Sequence, residues 1–243
     1  MFCCIFKILT LILFGSQDNI LGINVKVIIS AQFGHFQRPG NPGEPSTYPV
    51  IPPTAFEGLI NNVYWHPGHT VQVKSISVLK PIKYTTETVT QFDHQTGKPW
   101  LRTYELLIEP EYLVDFWLDC DPEIDSKERI GQLTRRLQHG KHFCQPSMGI
   151  SDFPATVELL AKDAPDPPIQ QIDMELGRMP HYWIWESAPK PVAKTFARRT
   201  SGQLSERPME RVIGKAVMFN AELKKGKIAV DRYPQRGVNG YAN

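Results

Sequence analysis

A short amphipathic helix between two runs of β-branched residues is the feature that most constrains how this chain folds. The first run, VKVIISAQ at residues 25–32, has the length of a strand. The second run, VQVKSISVLKPI at residues 71–82, alternates imperfectly, which predicts a strand with a β-bulge near Ser75. Between them, residues 54–65 carry apolar side chains at helical spacing, and a proline and a glycine then end the helix.

The rest of the chain is dominated by strand patterns. LRTYELLIEP and YLVDFWLD are predicted to form a pair of strands joined at residues 109–111. Four later segments also predict strands, the last two as a pair: ATVELLAK, HYWIWES, KAVMFNAEL and KIAVDRY.

A second helix is predicted in DPEIDSKERIGQLTRRLQHG. Its apolar residues recur at helical spacing on one face: Ile130, Leu133 and Leu137. Arg129, Gln132 and Arg136 share a different face, and Gly140 supplies the stop. A polar face with two arginines is therefore expected on this helix.

The order of these elements predicts an α+β fold with a largely antiparallel sheet. Residues 25–162 fit a ferredoxin-like (RRM-like) module, a split βαβ arrangement. Residues 163–243 are predicted to form a C-terminal extension with an additional antiparallel β-sheet. Hydrophobic residues make up 41% of the 243 residues, which is enough apolar material for a buried core.

The first 24 residues contain an apolar run, FCCIFKILTLILF, that is too short to span a bilayer as a helix. Two interpretations are open for residues 1–24, a mis-assigned translation start and a secretion signal. The run lacks a persuasive A-x-A cleavage site and its lysine lies inside it, which favours the mis-assigned start. The cysteines, of which there are four, include no CxxC pair. A reducing compartment and a cytoplasmic location are therefore expected.

The formal net charge of +2 is too small to indicate a nucleic-acid partner, so any basic surface must be local. Such a cluster lies at the end of the second helix, where Arg135, Arg136 and Lys141 accompany two glycines, Gly140 and Gly149. Glycine allows a close approach of the backbone to a phosphate. An ordinary solvated helix end is the alternative interpretation.

Three segments resemble signatures of CRISPR-associated family five. YPVIPPTAFEGLINNVYWHPGHTVQVKSISVLKPIKY is similar to the family's N-terminal signature, with its aromatic-Trp-x-Pro helix end and its strand closing in Leu-x-Pro-Ile. RRLQHGKHFCQPSMGISDFPATVEL resembles the second signature, in which two arginines lead to Gly-x-x-Phe-x-Gln-Pro-x-x-Gly. KAVMFNAELKKGKIAV is similar to the closing strands. The segments occur in the family's order between about Val25 and Tyr233.

The chain is most similar to the type I-C (Dvulg) branch of this family, within the repeat-associated RNA-binding (RAMP) superfamily. The resemblance implies a ferredoxin-like RNA-binding core and a place in a crRNA-guided surveillance complex. It also implies cleavage of precursor crRNA at the repeat hairpin, followed by retention of the crRNA 5′ handle. The implied partners are these RNAs, a large PAM-reading subunit and a backbone subunit, with no membrane and no cofactor.

Metal-independent RNA cleavage needs a base, a cation at the phosphate and an acid for the leaving oxygen. The resemblance implies a catalytic tyrosine at Tyr64 and a Lys-His pair that would fall on Glu128 and Arg129, where it is absent. Lys127 or Arg129 is then the expected phosphate clamp. The expected RNA-binding residues are His66, Arg135, Arg136, Lys141, His142 and Gly149.

Alternative interpretations accompany these roles. Tyr64 also fits a core tyrosine with its hydroxyl at the edge. His139, His142 and Cys144 lack a second ligand pair at a usual spacing, so no metal site is predicted. A non-catalytic subunit that caps the crRNA handle is the main alternative function, and a secreted protein unrelated to RNA is a third.

Overall fold

The computed structural model describes residues 24–40, 44–92, 97–187, 196–200, 203–207 and 212–233. Its helices are α1 (Pro53–Val63) and α2 (Ser126–Gln138). Its strands are β1 (Val25–Ser30), β2 (Phe33–Gly34), β3 (His69–Val78), β4 (Tyr84–Phe92), β5 (Pro99–Ile108), β6 (Glu111–Cys120), β7 (Thr156–Leu159), β8 (Met174–Ser187), β9 (Phe196–Thr200), β10 (Gln203–Arg207), β11 (Val212–Leu223) and β12 (Lys227–Ala229). The prediction for residues 1–24 lies almost entirely outside the described residues.

The central sheet has five strands in the order β12-β3-β6-β1-β7, and every neighbouring pair is antiparallel. Strand β1 alternates between buried and half-buried residues because its β-branched side chains point to the core at every second position. The bulge predicted near Ser75 is confirmed, since the register of β3 against β6 shifts between Val73 and Ser75.

Helix α1 begins at Pro53, where the missing N–H of proline costs no helical hydrogen bond. Its buried face packs into the core, and Phe56 meets Phe116 of β6 edge-to-face with ring centroids 5.1 Å apart. The helix ends two residues earlier than predicted. Tyr64 is already extended, with φ −150° and ψ 112°, although its N–H still donates to the Ile60 carbonyl oxygen.

A separate three-stranded sheet has the order β2-β5-β4, and two of its strands, β4 and β5, lie between β3 and β6 in the chain. The prediction that the strands on either side of residues 109–111 form a pair is wrong, because β5 pairs with β4 and β2 whereas β6 lies in the central sheet. Strand β4 is not predicted by its sequence. Its residues are exposed or half-buried, so it lacks an apolar period.

The C-terminal part contains a long antiparallel ribbon of β8 and β11. The prediction that the last two strands pair with each other is wrong. β11 pairs with β8, whereas β12 pairs with β3 and thereby extends the central sheet. The turn at Gly226 explains this course. A Cβ on Gly226 would lie 1.8 Å from the Gln170 carbonyl oxygen, and the Gly226 carbonyl accepts from the Val78 N–H at 2.9 Å. These contacts direct the chain onto β3.

The predicted α+β class with mostly antiparallel sheets is confirmed. Among the described residues, no helix has both the length and the apolar composition needed to cross a bilayer.

Candidate functional site

The end of α1 meets the polar face of α2 at Tyr64. The Tyr64 hydroxyl donates to Gln132 Oε1 at 2.8 Å and accepts from Arg129 Nη1 at 3.3 Å. Arg129 and Gln132 are three positions apart, so they share one face of α2 as the sequence predicts. Gln132 Nε2 donates in turn to Glu128 Oε1 at 2.9 Å, which orients the amide. The hydroxyl is therefore fixed by two partners from one helix.

Arg136, one turn further along α2, lies against the same tyrosine. Its guanidinium carbon is 5.7 Å from the centre of the Tyr64 ring, and its Nη1 donates to the Val63 carbonyl oxygen at 3.3 Å. Such a contact between a cation and an aromatic face is attractive. One guanidinium thus lies at the hydroxyl of Tyr64 and a second one over its ring.

His69, at the start of β3, stacks on Tyr64 with ring centroids 5.4 Å apart and an interplanar angle of 10°. Burial, the neighbouring His66 and the Arg129 guanidinium lower the pKa of His69 from 6.5 to about 4. Neither ring nitrogen has a hydrogen-bond partner among the described residues. His69 is therefore neutral at pH 7. We call Tyr64, His69, Arg129, Gln132 and Arg136 the tyrosine cluster.

The stability of the protein is expected to decrease as the pH falls from 6.5 towards 4. The unfolded chain protonates His69 in this window and the folded chain does not, so the unfolded state binds more protons. The contribution of His69 is about 2 kcal/mol, which allows for partial solvent screening. This contribution is measured by urea unfolding of the wild type and of His69→Phe at pH 7 and pH 5.

The wild type should lose more stability between these two pH values than His69→Phe. Burial also lowers the pKa of His35 and His181, so the variant should retain part of the pH dependence. Equal losses in the two proteins would contradict a low pKa of His69.

The other residue expected to clamp phosphate, Lys127, lies at the first turn of α2. Its side chain is exposed, and its backbone N–H donates to Asp125 Oδ1 at 2.9 Å, which caps the helix. No hydrogen bond joins its side chain to another described residue. Of the two candidates, only Arg129 contacts Tyr64.

Three of the remaining predicted RNA-binding side chains lie at the end of α2 or directly after it. Arg135, Lys141 and His142 are exposed, and neither Arg135 nor Lys141 forms an ion pair with a carboxylate in the described part of the chain. His66 lies in the turn after α1, where its Nδ1 is 2.8 Å from the Pro67 carbonyl oxygen. The cations at the end of α2 are therefore free to contact an anion.

The two glycines of the basic cluster have different surroundings. Gly149 has φ +97°, and a Cβ there would lie 1.8 Å from the His35 carbonyl oxygen. Gly140 has φ +60° and open space at the corresponding position, in the turn that ends α2. Packing against His35 is thus a sufficient reason for glycine at 149.

The sequence patterns missed two members of the tyrosine cluster. Gln132 carries a signal, because it shares the α2 face with Arg129 and Arg136. The only signal for His69 is weak: it directly follows Gly68 at the start of a strand. Nothing local predicts that it stacks on Tyr64. Among the described residues, no group of three or more His, Cys, Asp or Glu side chains is arranged to hold a metal ion.

The arrangement is suited to chemistry on an anion. Arg129 places a positive charge beside the Tyr64 oxygen, and the two guanidiniums of the cluster would stabilise negative charge on a phosphate bound there. A guanidinium stays protonated at all ordinary pH values, so it acts as a fixed cation. The tyrosine cluster combines a hydroxyl that can exchange a proton with fixed positive charge.

Comparisons with known proteins show what this chain is similar to. A family model described as CRISPR-associated protein (Cas_Cas5) matches residues 25–231. The chain is similar to the CRISPR pre-crRNA endoribonuclease Cas5d of Thermus thermophilus, with 25% identity over 85% of this chain and 90% of that protein. It is also similar to the protein of the same name from Mannheimia succiniciproducens, with 24% identity over 65% of this chain and 89% of that one.

A solved structure shares the fold. It is a functionally uncharacterized protein from Streptococcus mutans, with a TM-score of 0.60 and 16% identity over 86% of this chain and 93% of that one.

Proposed function

The chain belongs to the Cas5 family of the type I-C CRISPR system, and we propose that it is the RNA-binding subunit that cleaves precursor crRNA in a surveillance complex. It binds the repeat hairpin, cuts below the stem without a metal ion and holds the 5′ handle of the product. The contact of Arg129 with the Tyr64 hydroxyl carries the catalytic part of this proposal. A purified chain incubated with labelled repeat RNA in EDTA tests it, with one discrete cut as the expected result.

We propose that residues 25–162 form the ferredoxin-like RNA-binding module. The strands β7, β1, β6 and β3 are neighbours in this order, and α1 follows β1 as α2 follows β6. A split βαβ unit has this order of neighbours. Residues 163–243 form the C-terminal extension, of which β12 adds to the edge of the same sheet.

In the proposed reaction, the deprotonated oxygen of Tyr64 removes the proton from a ribose 2′-hydroxyl, and the resulting alkoxide attacks the adjacent phosphorus as the bond to the 5′ oxygen breaks. Water supplies the proton that the departing 5′ oxygen takes up, and a 2′,3′-cyclic phosphate remains on the upstream product. Arg129 and Arg136 stabilise the charge that develops on the phosphate oxygens. The Lys-His pair of the family is absent, and Arg129 occupies the second of its two positions and supplies a cation there.

The alternative function is a non-catalytic subunit that caps the crRNA handle. Two observations favour it. Tyr64 is only 5% exposed, and the neutral His69 beside it is not an acid for the leaving oxygen at pH 7. Tight binding of the repeat RNA without any cut in EDTA or in Mg²⁺ would support this alternative.

Arg129→Gln is expected to lower the cleavage rate about 10–100-fold, because it removes the charged hydrogen bond to the Tyr64 hydroxyl. Lys127→Gln is the matched control, with the same substitution two residues earlier on the same helix. It should change the rate by no more than about threefold, since the Lys127 side chain is solvated. Single-turnover rates at saturating protein give both values. If Lys127→Gln lowered the cleavage rate more than Arg129→Gln, Lys127 rather than Arg129 would be the cation that acts in the reaction.

The proposed partners are the crRNA, its precursor, a large PAM-reading subunit and a backbone subunit, and the proposed compartment is the cytoplasm. The exposed side chains of Arg135, Lys141 and His142 and the partly exposed Arg136 serve as phosphate contacts, which need only positive charge or a hydrogen-bond donor in reach. His66 contributes a contact at the end of α1, and the exposed backbone of Gly149 contributes one in the loop after α2.

A further inference from the structure

A cleft of about 210 Å³ opens beside the tyrosine cluster, between the end of α2, residues 141–146 and β7. Buried apolar residues from these elements and from α1 line its inner wall: Val63, Leu137, Pro146 and Ala155. Arg136 belongs to both the cleft and the tyrosine cluster. A group bound in the cleft would therefore lie next to Tyr64.

The rim of this cleft is polar and basic. Lys141 and His142 are exposed there together with Gln145 and Thr156, and Arg136 adds a third basic side chain. No carboxylate is among the lining residues. An apolar wall under a positive rim is complementary to a flat aromatic group carried on a phosphate chain.

The backbone of β7 adds a donor and an acceptor. This strand is at the edge of the central sheet and pairs only with β1. The Leu160 N–H donates to the Lys26 carbonyl oxygen at 2.9 Å, and Val157 is three positions before Leu160. Because hydrogen-bonded and non-hydrogen-bonded pairs alternate in an antiparallel ladder, the N–H and C=O of Val157 point away from β1. They face the open edge along which the cleft lies.

We propose that this cleft binds one unpaired nucleobase of the RNA, turned out of the strand beside the phosphate that the tyrosine cluster contacts. The wall covers the face of the base, and Arg136, Lys141 and His142 contact the flanking phosphates. The N–H and C=O of Val157 meet the Watson–Crick edge, since every base carries a donor next to an acceptor there. The proposal rests on the proposed function, because it requires the chain to bind RNA.

The experiment is an abasic scan of the repeat RNA with the unmodified protein. Each unpaired position next to the cut site is replaced in turn by an abasic ribose, and the dissociation constant is measured in EDTA. Loss of one base is expected to weaken binding roughly tenfold, and loss of any other by no more than about twofold. A flat profile overturns the proposal and leaves RNA binding itself intact. An absence of binding to the intact RNA overturns both proposals.

A substitution assigns the sensitive position to the cleft. Ala155→Leu fills the cleft from its wall, and Ala229→Leu makes the same change on β12, at the opposite edge of the same sheet. The tenfold effect of the abasic site should disappear in Ala155→Leu and persist in Ala229→Leu. If it persists in a folded Ala155→Leu protein, the base binds elsewhere and the proposal is wrong. If this variant fails to fold, the scan with the unmodified protein decides the question.

Discussion

Replacing Tyr64 with phenylalanine is expected to lower the rate of repeat RNA cleavage by a factor of about 10²–10⁴, which is the usual contribution of a positioned acid or base. The ring stays in place, because its stacking on His69 and its contact with Arg136 do not involve the hydroxyl. Binding of the RNA should change by no more than a few-fold, since Arg129 and Arg136 both remain. Single-turnover cleavage and filter binding in EDTA separate the two effects.

Tyr104→Phe is the control for Tyr64→Phe. This substitution also removes a hydroxyl that accepts a hydrogen bond, here from Gln91 Nε2. Tyr104 lies on β5, in the three-stranded sheet. The Tyr104→Phe protein should cleave the repeat RNA at the same rate as the wild type. Equal rates in the wild type and Tyr64→Phe would remove Tyr64 from the reaction and leave it as a buried tyrosine with a satisfied hydroxyl.

Gly149→Ala is expected to lower the free energy of unfolding by about 3–5 kcal/mol, because the added methyl group meets the backbone of another segment. The backbone there has φ +97°, and the new Cβ would lie 1.8 Å from the His35 carbonyl oxygen. That oxygen belongs to the backbone, so it cannot move aside as a flexible side chain would. Urea unfolding followed by circular dichroism measures the change.

Gly140→Ala provides the matched comparison, because Gly140 also has a positive φ, +60°, but nothing lies near its missing Cβ. Gly140→Ala should lower the free energy of unfolding by about 1–2 kcal/mol, which is the strain of the left-handed conformation alone. If both variants lost the same stability, the contact with His35 would not be the reason for glycine at 149. A loss of RNA binding in a stably folded Gly149→Ala protein would instead support the predicted contact with RNA.

The tyrosine cluster was only partly predictable from the sequence. The helix α1 and the shared face of Arg129, Gln132 and Arg136 follow from the spacing of residues within one segment. The hydrogen bond between the Tyr64 hydroxyl and Gln132 joins residues 68 positions apart, and local patterns do not predict such a contact. His69 is close to Tyr64 in the chain, but their stacking depends on the turn between α1 and β3, which the spacing of apolar residues does not describe.

The sheets show the same division. Strands β5 and β6 were predictable as strands, but not their assignment to different sheets. Pairing depends on which partner strand is available, and β4, the partner of β5, has no apolar period that predicts it. Likewise β12 was predictable as a strand, whereas its pairing with β3 was not, although the Gly226 carbonyl just before β12 accepts from the Val78 N–H of β3.

By itself, the sequence determined the two helices, most of the strands, the bulge near Ser75 and the family, because each depends on the order and spacing of residues close in the chain. Only the tertiary structure decided which cation contacts Tyr64, why glycine is needed at 149 and where a cleft opens beside α2. Those features depend on distances between atoms that are remote in sequence, and these distances are fixed only when the core packs.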